Sequence, residues 1–400
     1  MNRSRWIAAV LLAAGAGACA RALPPPGGEQ DTEPPRILST TPENLAVVPA
    51  FRGPVVFRFD ETISERGFNN NLVIVSPEQG TPTVNRDGKE LRVRVEYGWQ
   101  PNRVYRVVVL PGLQDRRANQ RRVPTELVFS TGDSILPTAI AGLVTDRITR
   151  QPVPNARVVA IAPDSVLHVT VTDTAGFFAL RYVPVASYTI QAYEDRNRNR
   201  RMDPSEPQAT ASVALTSPQD TQIVTLEVLA RDTLPARLAS ATGRDSTHAI
   251  LTFDDYLDPE QPLGPARASV FQLPDSTAVT GHRLLYPHQF EAFRAAQAAA
   301  ADTTRAQPPV IQPDTAPLPT RELVLVFERP LPPETRFRVN VSGVTNIAGV
   351  TGGGGTAVFT TPPRPQRDTT GVRPDTAGVR RDTARVRRDT AAARRSTGRR

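Results

Sequence analysis

The densest group of oxygen-bearing side chains in this sequence lies in one twelve-residue segment that ends at Glu206. Its oxygen donors occupy positions 1, 3, 5, 9 and 12, and they are Asp195, Asn197, Asn199, Asp203 and Glu206. Calcium loops have this spacing, because Ca²⁺ takes about six to eight oxygen ligands and a carboxylate at position 12 closes the shell with both its oxygens. The backbone carbonyl at position 7, here that of Arg201, belongs to the same set. The segment therefore predicts a calcium site.

Two features of this loop count against calcium. Position 6 is normally Gly because the backbone turns there into the left-handed region, and the residue here is Arg200. The cost for a non-glycine residue is on the order of 1 kcal/mol, which a multidentate site can tolerate. Four arginines also crowd the loop with positive charge. The alternative is a solvated loop of mixed charge between two strands.

The N-terminal segment has the order of a secretory signal and ends at the only cysteine, Cys19. Arg3 and Arg5 precede an apolar run over residues 6–14, and small residues follow up to Ala18. Such a segment is too short to span a bilayer and is normally cut away, so it predicts export over residues 1–19.

A cysteine directly after the small residues of a cleavage site resembles the lipobox of bacterial lipoproteins. The resemblance implies that Cys19 carries a diacylglycerol on its thiol and an acyl chain on its new amino group. Several chains make a firm anchor, because each buried methylene adds about 0.8 kcal/mol of membrane affinity. Ala16 departs from the Leu usual in the family, so ordinary secretion stays open as the alternative. Ala20, in place of the Asp of inner-membrane lipoproteins, favours the outer membrane.

Residue patterns of the common catalytic sites are missing from the sequence. Its four histidines are scattered outside any H-E-x-x-H pattern, at His168, His248, His282 and His288. No nucleophile elbow or dinucleotide fingerprint is present, and the glycines of residues 352–355 lack the Lys-Ser/Thr of a phosphate loop. We therefore predict that the protein is not an enzyme. The alternative, an enzyme of unrecognised type, requires a pocket of converging titratable groups.

Two other groups of residues could do chemistry. The adjacent carboxylates at residues 60–61 and 254–255 could act as general acid and base. They recur at the ends of equivalent strands, which favours a structural role in a turn. Trp99, with Tyr97 and Tyr105, could stack on a sugar, but Trp99 corresponds to an aliphatic residue in the internal repeat, which favours a place at the core.

The net charge of +8 comes from the C-terminal segment, residues 363–400, with twelve arginines and four aspartates. The neutral remainder argues against nucleic-acid binding by the folded part. The segment repeats every seven residues with one apolar residue per repeat, which is too few for a coiled coil and predicts disorder. Its arginines could touch phosphates of lipopolysaccharide, anionic lipid or extracellular DNA, and solvated disorder without a partner is the alternative.

Short runs of alternating apolar residues, such as 55–59 and 104–109, predict strands with every second side chain in a core. An internal repeat divides the chain, because three segments of one region align with three segments of another. The aligned pairs are 57–61 with 251–255, 91–107 with 323–339, and 129–131 with 359–361. The later copy is longer, which predicts an insertion over residues 281–320 that includes a short helix at 288–301.

Both copies resemble the SbsA-type Ig-like domain of bacterial surface and envelope proteins. The first opens with the segment Pro35 to Pro42, carries Phe-x-Phe-Asp at 57–60, and closes with Phe-Ser-Thr at 129–131. The Asp-x-x-Gly-Asn motif of the family is present only in altered form, at residues 115–119 and 346–349. The resemblance implies two β-sandwiches in a protein of the cell envelope.

The segment between these copies resembles the carboxypeptidase regulatory-like domain, a small transthyretin-like sandwich. The resemblance lies in residues 142–146, 152–158, 172–180 and 183–190. It implies a scaffold or binding module and no peptidase activity. The turn from Asp173 to Gly176 requires a positive φ at the glycine.

The predicted fold class is all-β, with three tandem β-sandwich domains and a disordered C-terminal tail. The predicted divisions are a signal peptide at 1–19, a linker at 20–33, an Ig-like domain at 34–133, a regulatory-like domain at 138–230, a second Ig-like domain at 234–362 and the tail at 363–400. The predicted function is a non-catalytic lipoprotein of the cell envelope or surface that acts as a structural or binding scaffold. An adhesin or carbohydrate-binding protein is the alternative.

Overall fold

The computed structural model describes residues 31–264, 266–301 and 316–364, and its regular structure is almost entirely β. The signal segment with Cys19, most of the predicted linker and the tail from residue 365 lie outside these ranges. The described strands form six sheets that build three sandwiches, so the predicted fold class is confirmed. Within these ranges, no helix combines the length and the apolar character needed to cross a membrane.

The first sandwich has eight strands in two sheets of four, ordered β1-β3-β6-β5 and β2-β8-β7-β4. The strands are β1 (Ile37–Thr41), β2 (Ala46–Val47), β3 (Val55–Phe59), β4 (Val73–Ser76), β5 (Thr83–Asp87), β6 (Glu90–Arg94), β7 (Val104–Val109) and β8 (Thr125–Ser130). Phe57 and Phe59 of β3 are fully buried while Arg58 between them is exposed. This alternation arises because successive side chains of a strand point to opposite faces.

The middle sandwich has the sheet orders β11-β10-β13-β14 and β12-β9-β15. Its strands are β9 (Ala139–Asp146), β10 (Arg157–Ile161), β11 (Leu167–Val171), β12 (Phe177–Arg181), β13 (Ser187–Tyr193), β14 (Gln208–Ala214) and β15 (Thr221–Val228). Strand β15 runs parallel to β9, and the other pairs are antiparallel. Gly176 has a φ of 74°, as predicted, and Asp173 Oδ1 closes the turn by accepting the Phe177 N–H at 2.9 Å.

The third sandwich shares most of its topology with the first, and its sheet orders are β16-β17-β21-β20 and β19-β18-β22-β23. Its elements are β16 (Leu238–Gly243), β17 (His248–Leu257), β18 (Arg267–Gln272), β19 (Thr277–Val279), β20 (His282–Leu285), α1 (Pro287–Ala301), β21 (Thr320–Phe327), β22 (Arg336–Val344) and β23 (Gly353–Thr360). In both copies the first strand pairs with the strand that precedes the two carboxylates (β3) or contains them near its end (β17), and the register shifts near the start of the first strand. The copies differ in one edge strand, because β2 lies beside β8 in the first sandwich, whereas β19 lies beside β18, the counterpart of β4, in the third. The internal repeat therefore reflects a topology that the other seven strands share.

The repeat extends to a side chain that ties the last strand to a loop. Thr131 Oγ1 donates to the Gln100 carbonyl at 2.6 Å, and Thr361 Oγ1 donates to the Pro332 carbonyl at the same distance. Each hydroxyl also accepts a backbone N–H at 3.1 Å. Both threonines are buried, so a side-chain hydrogen bond satisfies the loop backbone in each copy.

The predicted insertion at 281–320 is wrong at its first end. Residues 282–285 form β20, which pairs with β21 in the way that β5 pairs with β6. Tyr286, next in the chain, is 2% exposed and packs in the core of the third sandwich. The sequence obscured this strand because none of its four side chains is fully buried, which weakens the apolar alternation. The insertion proper therefore starts at α1.

Two deletions test whether the insertion starts at residue 281 or at α1. Removing residues 288–316 with a short linker is expected to change the free energy of unfolding by about 1 kcal/mol or less, because closure entropy grows slowly with loop length. Removing 281–320 deletes an edge strand and the Tyr286 side chain, and is expected to cost about 3 kcal/mol or more. Urea unfolding followed by circular dichroism measures both. Equal stability of the two variants would contradict this placement of the insertion.

Candidate cation loop and domain joint

The predicted calcium segment forms the connection between the neighbouring antiparallel strands β13 and β14. Arg198 and Arg200, at loop positions 4 and 6, have φ values of 61° and 64°. The backbone therefore makes the left-handed turn predicted at position 6, although the residue there is not glycine. Tyr193 Oη donates to the Arg200 carbonyl at 2.9 Å and fixes this turn to the end of β13.

Three of the predicted donor side chains accept backbone N–H groups of the loop. Asp195 Oδ2 accepts from Arg200 at 3.0 Å, and Asn197 Oδ1 accepts from Asn199 at 2.9 Å. Asn199 Oδ1 accepts from Arg201 at 2.7 Å. The side-chain oxygens at positions 1, 3 and 5 are therefore tied to the loop backbone.

The other two predicted donors lie in different environments. Asp203 Oδ2 accepts the side-chain amides of Asn197 and Asn199, at 2.7 and 2.8 Å. Glu206 is 4% exposed, and its Oε1 accepts the Arg196 N–H at 2.9 Å. Its Oε2 is buried and accepts no hydrogen bond from any described residue, and the same holds for Asp195 Oδ1. The loop thus holds two buried carboxylate oxygens without a donor.

Two of the four arginine side chains of the loop have partners other than the predicted donor oxygens. The Arg196 guanidinium pairs with Glu194 at 2.9 Å. The Arg200 guanidinium reaches the first sandwich, 3.3 Å from Thr81 Oγ1 and 3.4 Å from Asn71 Oδ1. It also lies 3.8 Å from Glu78. Two of the four positive charges are therefore balanced or held by groups outside the donor set.

The first and middle sandwiches meet along the edges of β4 and β11. The Glu78 N–H donates to the Leu167 carbonyl at 2.8 Å, and the Val169 N–H donates to Ser76 Oγ at 3.1 Å. The Glu78 carboxylate also pairs with Arg157 at 2.6 Å, with both side chains largely buried. The seam beside them is apolar and comprises Ile74, Val159, Ile161, Leu167, Val169, Tyr193 and Met202. We call this contact the first joint.

A cleft of about 570 Å³ opens beside the first joint. Its walls include Asn71 and Glu78 of the first sandwich and Arg157, Asp195 and Arg200 of the middle one. The predicted calcium segment therefore lines part of a cleft between two domains.

A second joint links the middle and third sandwiches through ion pairs. Arg147 lies 3.0 Å from Asp258, whose side chain is 9% exposed, and Arg150 lies 2.9 Å from Glu260. Glu227 lies 3.7 Å from both arginines. Single exposed pairs contribute little to stability, but a network with one buried carboxylate holds a defined geometry.

The paired carboxylates serve the fold. Asp60 Oδ1 accepts the Arg36 N–H at 2.8 Å, and Asp254 Oδ1 accepts the Arg237 N–H at 2.7 Å. In each copy the side chain caps the start of the first strand. This is the structural role that the recurrence of the pair favoured.

Glu61, the second carboxylate of the first pair, belongs to a cluster with Asp31 and Asp115 in which one oxygen of each lies within 4.8 Å of the others. Burial raises the pKa of Glu61, and the charges of Asp115 and Asp31 raise it further. Asp31 was assigned to the linker, but its carbonyl accepts the Asn119 side-chain amide at 3.0 Å, so the first sandwich begins there. Sequence reasoning missed this cluster because its members are far apart in the chain.

The third sandwich has a related arrangement with one amide in place of a carboxylate. Asn346 Nδ2 donates to Asp255 Oδ2 at 2.8 Å and to the Leu234 carbonyl at 3.0 Å. Burial raises the pKa of Asp255, and the charge of Asp232 acts in the same direction. The altered Asp-x-x-Gly-Asn segments therefore tie the start of each Ig-like copy to its last loop.

The aromatic residues of the first sandwich do not form a sugar platform. Tyr105 is fully buried, and the Trp99 ring packs edge-on at 4.9 Å from it and 5.1 Å from Phe129. Trp99 Nε1 donates to the Gly53 carbonyl at 2.8 Å. Tyr97 alone of the three predicted rings is exposed, at 70%.

The four histidines have different neighbours in the fold. His168 is buried, and burial lowers its pKa to about 4. The His248 ring packs at a tilt of 41° against Phe290 of α1, with the ring centroids 4.7 Å apart. His282 Nε2 lies 2.9 Å from the Ala268 carbonyl, and His288 stacks on Tyr286 at 5.9 Å. Each ring has its own structural neighbours.

Comparison with protein-family models finds two matches. Residues 31–131 match the bacterial Ig-like domain, and residues 139–227 match the carboxypeptidase regulatory-like domain. A search of curated protein sequences finds no match.

Solved structures with related folds are distant from this chain. BcpA, the major pilin subunit of Bacillus cereus, is 11% identical over 49% of this chain and 71% of its own, with a TM-score of 0.20. A DUF3823 family protein from Bacteroides uniformis is 12% identical over 56% of this chain and 100% of its own, with a TM-score of 0.18. An L,D-transpeptidase from Mycobacterium smegmatis is 10% identical over 48% of this chain and 90% of its own, with a TM-score of 0.19. Similarities this low carry no functional argument.

The matched models and the shared topology of the outer sandwiches lead to one description of the domains. The chain contains a bacterial Ig-like domain at residues 31–131 and a carboxypeptidase regulatory-like domain at residues 139–227, followed by a third β-sandwich in which seven of the eight strands are arranged as in the first.

Proposed function

We propose that the protein is a non-catalytic lipoprotein of the bacterial cell envelope that acts as a structural or binding scaffold. The observation that carries this proposal is the construction of the chain from three sandwiches, each with its own buried core, connected by joints that contain ion pairs. Because each domain has its own packed core and defined contacts with the next domain, the chain can hold binding surfaces at set distances from one another. The matched domain types, Ig-like and regulatory-like, support the same role.

The candidate catalytic groups support a role without chemistry. The paired carboxylates cap strands, and the four histidines are held by separate neighbours. An enzyme needs a nucleophile or a base oriented toward a common reacting atom. Two of the titratable groups beside the cleft at the first joint, Glu78 and Arg157, are instead paired with each other across the domain boundary.

The proposal includes a role at the membrane for the N-terminal anchor and for the C-terminal arginine-rich segment. Cys19 would hold the chain at the outer membrane, and the arginines of residues 363–400 would contact phosphates of anionic envelope polymers. The neutral charge of the remaining chain supports a role without specific nucleic-acid recognition.

Acylation of Cys19 tests the anchor directly. Growth with a clickable fatty-acid analogue is expected to label the wild-type chain and to leave Cys19→Ala unlabelled, since the thiol and the new amino group are the acylation sites. Membrane fractionation is expected to move the variant from the outer-membrane fraction to the periplasm or the medium. Labelling that persists in Cys19→Ala would contradict the lipoprotein proposal and leave the sandwich architecture unaffected.

A further inference from the structure

We propose that the loop from Asp195 to Glu206 binds one Ca²⁺ ion, and that the bound ion stiffens the joint between the first and middle sandwiches through Arg200. This inference concerns regulation of the domain arrangement and is independent of the membrane anchor.

The first step is the unpartnered carboxylate oxygen of Glu206. Its side chain is 4% exposed, Oε1 accepts the Arg196 N–H of the loop, and Oε2 of the same carboxylate is buried and accepts no hydrogen bond from a described residue. A buried charged oxygen without a donor is costly in a folded protein. A hard divalent cation removes that cost, because carboxylate oxygens are its preferred ligands. Asp195 Oδ1 is buried and unpartnered among the described residues in the same way.

The second step is the supply of further oxygens. Asn197 Oδ1 and Asn199 Oδ1 each accept one backbone N–H, and an oxygen that accepts one N–H keeps a lone pair for a cation. The Arg201 carbonyl stands at position 7 of the loop. Asp203 stands at position 9, whose ligand often reaches the ion through a water.

The third step is the choice of ion. The proposed donor set consists of oxygens of mixed type on a connection between two strands, with one carboxylate able to bind through both oxygens. Ca²⁺ accepts such sets, whereas Mg²⁺ demands near-ideal octahedral geometry and loses its waters reluctantly. The arginine content of the loop predicts weak binding, in the range of extracellular calcium modules.

The fourth step connects the ion to the domain joint. Arg200 occupies position 6, where its N–H is bonded to Asp195 and its carbonyl accepts from Tyr193. Its guanidinium crosses to Thr81, Asn71 and Glu78 of the first sandwich. An ion that orders the loop fixes the backbone from which this side chain extends. The entropy cost of forming the cross-domain contacts is then lower, and the two events stabilise each other.

Calorimetry and hydrogen exchange on the full chain test both parts of the proposal. After treatment with EDTA, titration with CaCl₂ is expected to show one ion per chain. Hydrogen–deuterium exchange is expected to slow in two segments, the loop at 195–206 and the first-sandwich segment at 69–82. Absence of binding, or binding that leaves exchange in the loop unchanged, would overturn the site.

Matched variants locate the ion. Glu206→Gln is expected to weaken calcium binding on the order of tenfold or more, because it breaks the bidentate closure. Asn197→Ala, at an exposed residue, is expected to weaken binding as well and guards against misfolding of the buried variant. Glu61→Gln, in the acidic cluster of the first sandwich, is expected to leave binding unchanged. Binding that is lost with Glu61→Gln and kept with Glu206→Gln would place the ion elsewhere and refute the proposal.

Arg200→Gly separates binding from coupling. Glycine relieves the left-handed strain and removes a positive charge, so calcium affinity is expected to stay equal or to increase. The calcium-dependent protection of residues 69–82 is expected to disappear, because the cross-domain side chain is gone. Protection of that segment that persists in Arg200→Gly would refute the coupling while leaving the site intact.

Discussion

Gly142→Ala is expected to destabilise the middle sandwich by about 4 kcal/mol or more, which is a large part of the stability of a typical domain. A Cβ added to Gly142 would lie 1.7 Å from the Val224 carbonyl oxygen and 3.1 Å from the Phe178 ring. Gly142 and Val224 are direct partners in the parallel pairing of β9 and β15. The obstacle is backbone, so no side-chain rotation can relieve it, and the two strands must separate.

Hydrogen–deuterium exchange gives the most local measurement of this change. Peptides from β9, β12 and β15 are expected to exchange faster in Gly142→Ala, while peptides of the third sandwich keep their wild-type rates. Gly53→Ala is the control, because its added Cβ would meet only the Phe51 ring, at 3.8 Å, which is an ordinary contact. Wild-type exchange in Gly142→Ala would show that β15 does not pair with β9 at this register.

His168 is expected to make the protein less stable as the pH falls from 6.5 to 4. The side chain is 3% exposed, and burial, with a smaller effect of the Arg103 charge, lowers its pKa from 6.5 to about 4. In the unfolded chain the His168 imidazole is protonated below about pH 6.5, whereas in the folded chain it stays neutral until about pH 4. The free energy of unfolding therefore falls through this window, by roughly 3 kcal/mol in total.

His168→Phe is expected to remove this loss, because phenylalanine retains the edge-on contact with Tyr188 and cannot be protonated. Urea unfolding at intervals between pH 4 and pH 7 gives the two curves. Carboxylates titrate in both proteins, so the difference between the curves isolates the histidine. Parallel curves would show that His168 is accessible to protons in the folded state.

Local sequence patterns predicted many of the strands and turns correctly, but not the edge strand β20. Alternation of apolar residues places Phe57 and Phe59 in a core because a strand has a repeat of two residues. The φ values of Gly176 and Arg200 followed from the turns that their neighbours require. The internal repeat predicted a shared sandwich because equal spacing of core positions imposes the same register. These properties depend on neighbours in the chain or on a pattern repeated along it.

Other properties depend on residues that only folding brings together. The sequence marks Gly142 within a motif, but the carbonyl that excludes a side chain belongs to Val224. The cluster of Asp31, Glu61 and Asp115 forms because the start of the chain lies beside the last loop of the sandwich.

The proposed calcium loop shows the division within a single segment. Its spacing and its left-handed turn are local, so the sequence by itself determined which oxygen-bearing side chains it contains and the position of Arg200. The burial of Glu206 and the reach of Arg200 to Asn71, Thr81 and Glu78 depend on where β13, β14 and the first sandwich lie. The tertiary structure alone decided these contacts, because they join residues whose separation in the chain leaves no periodic signal.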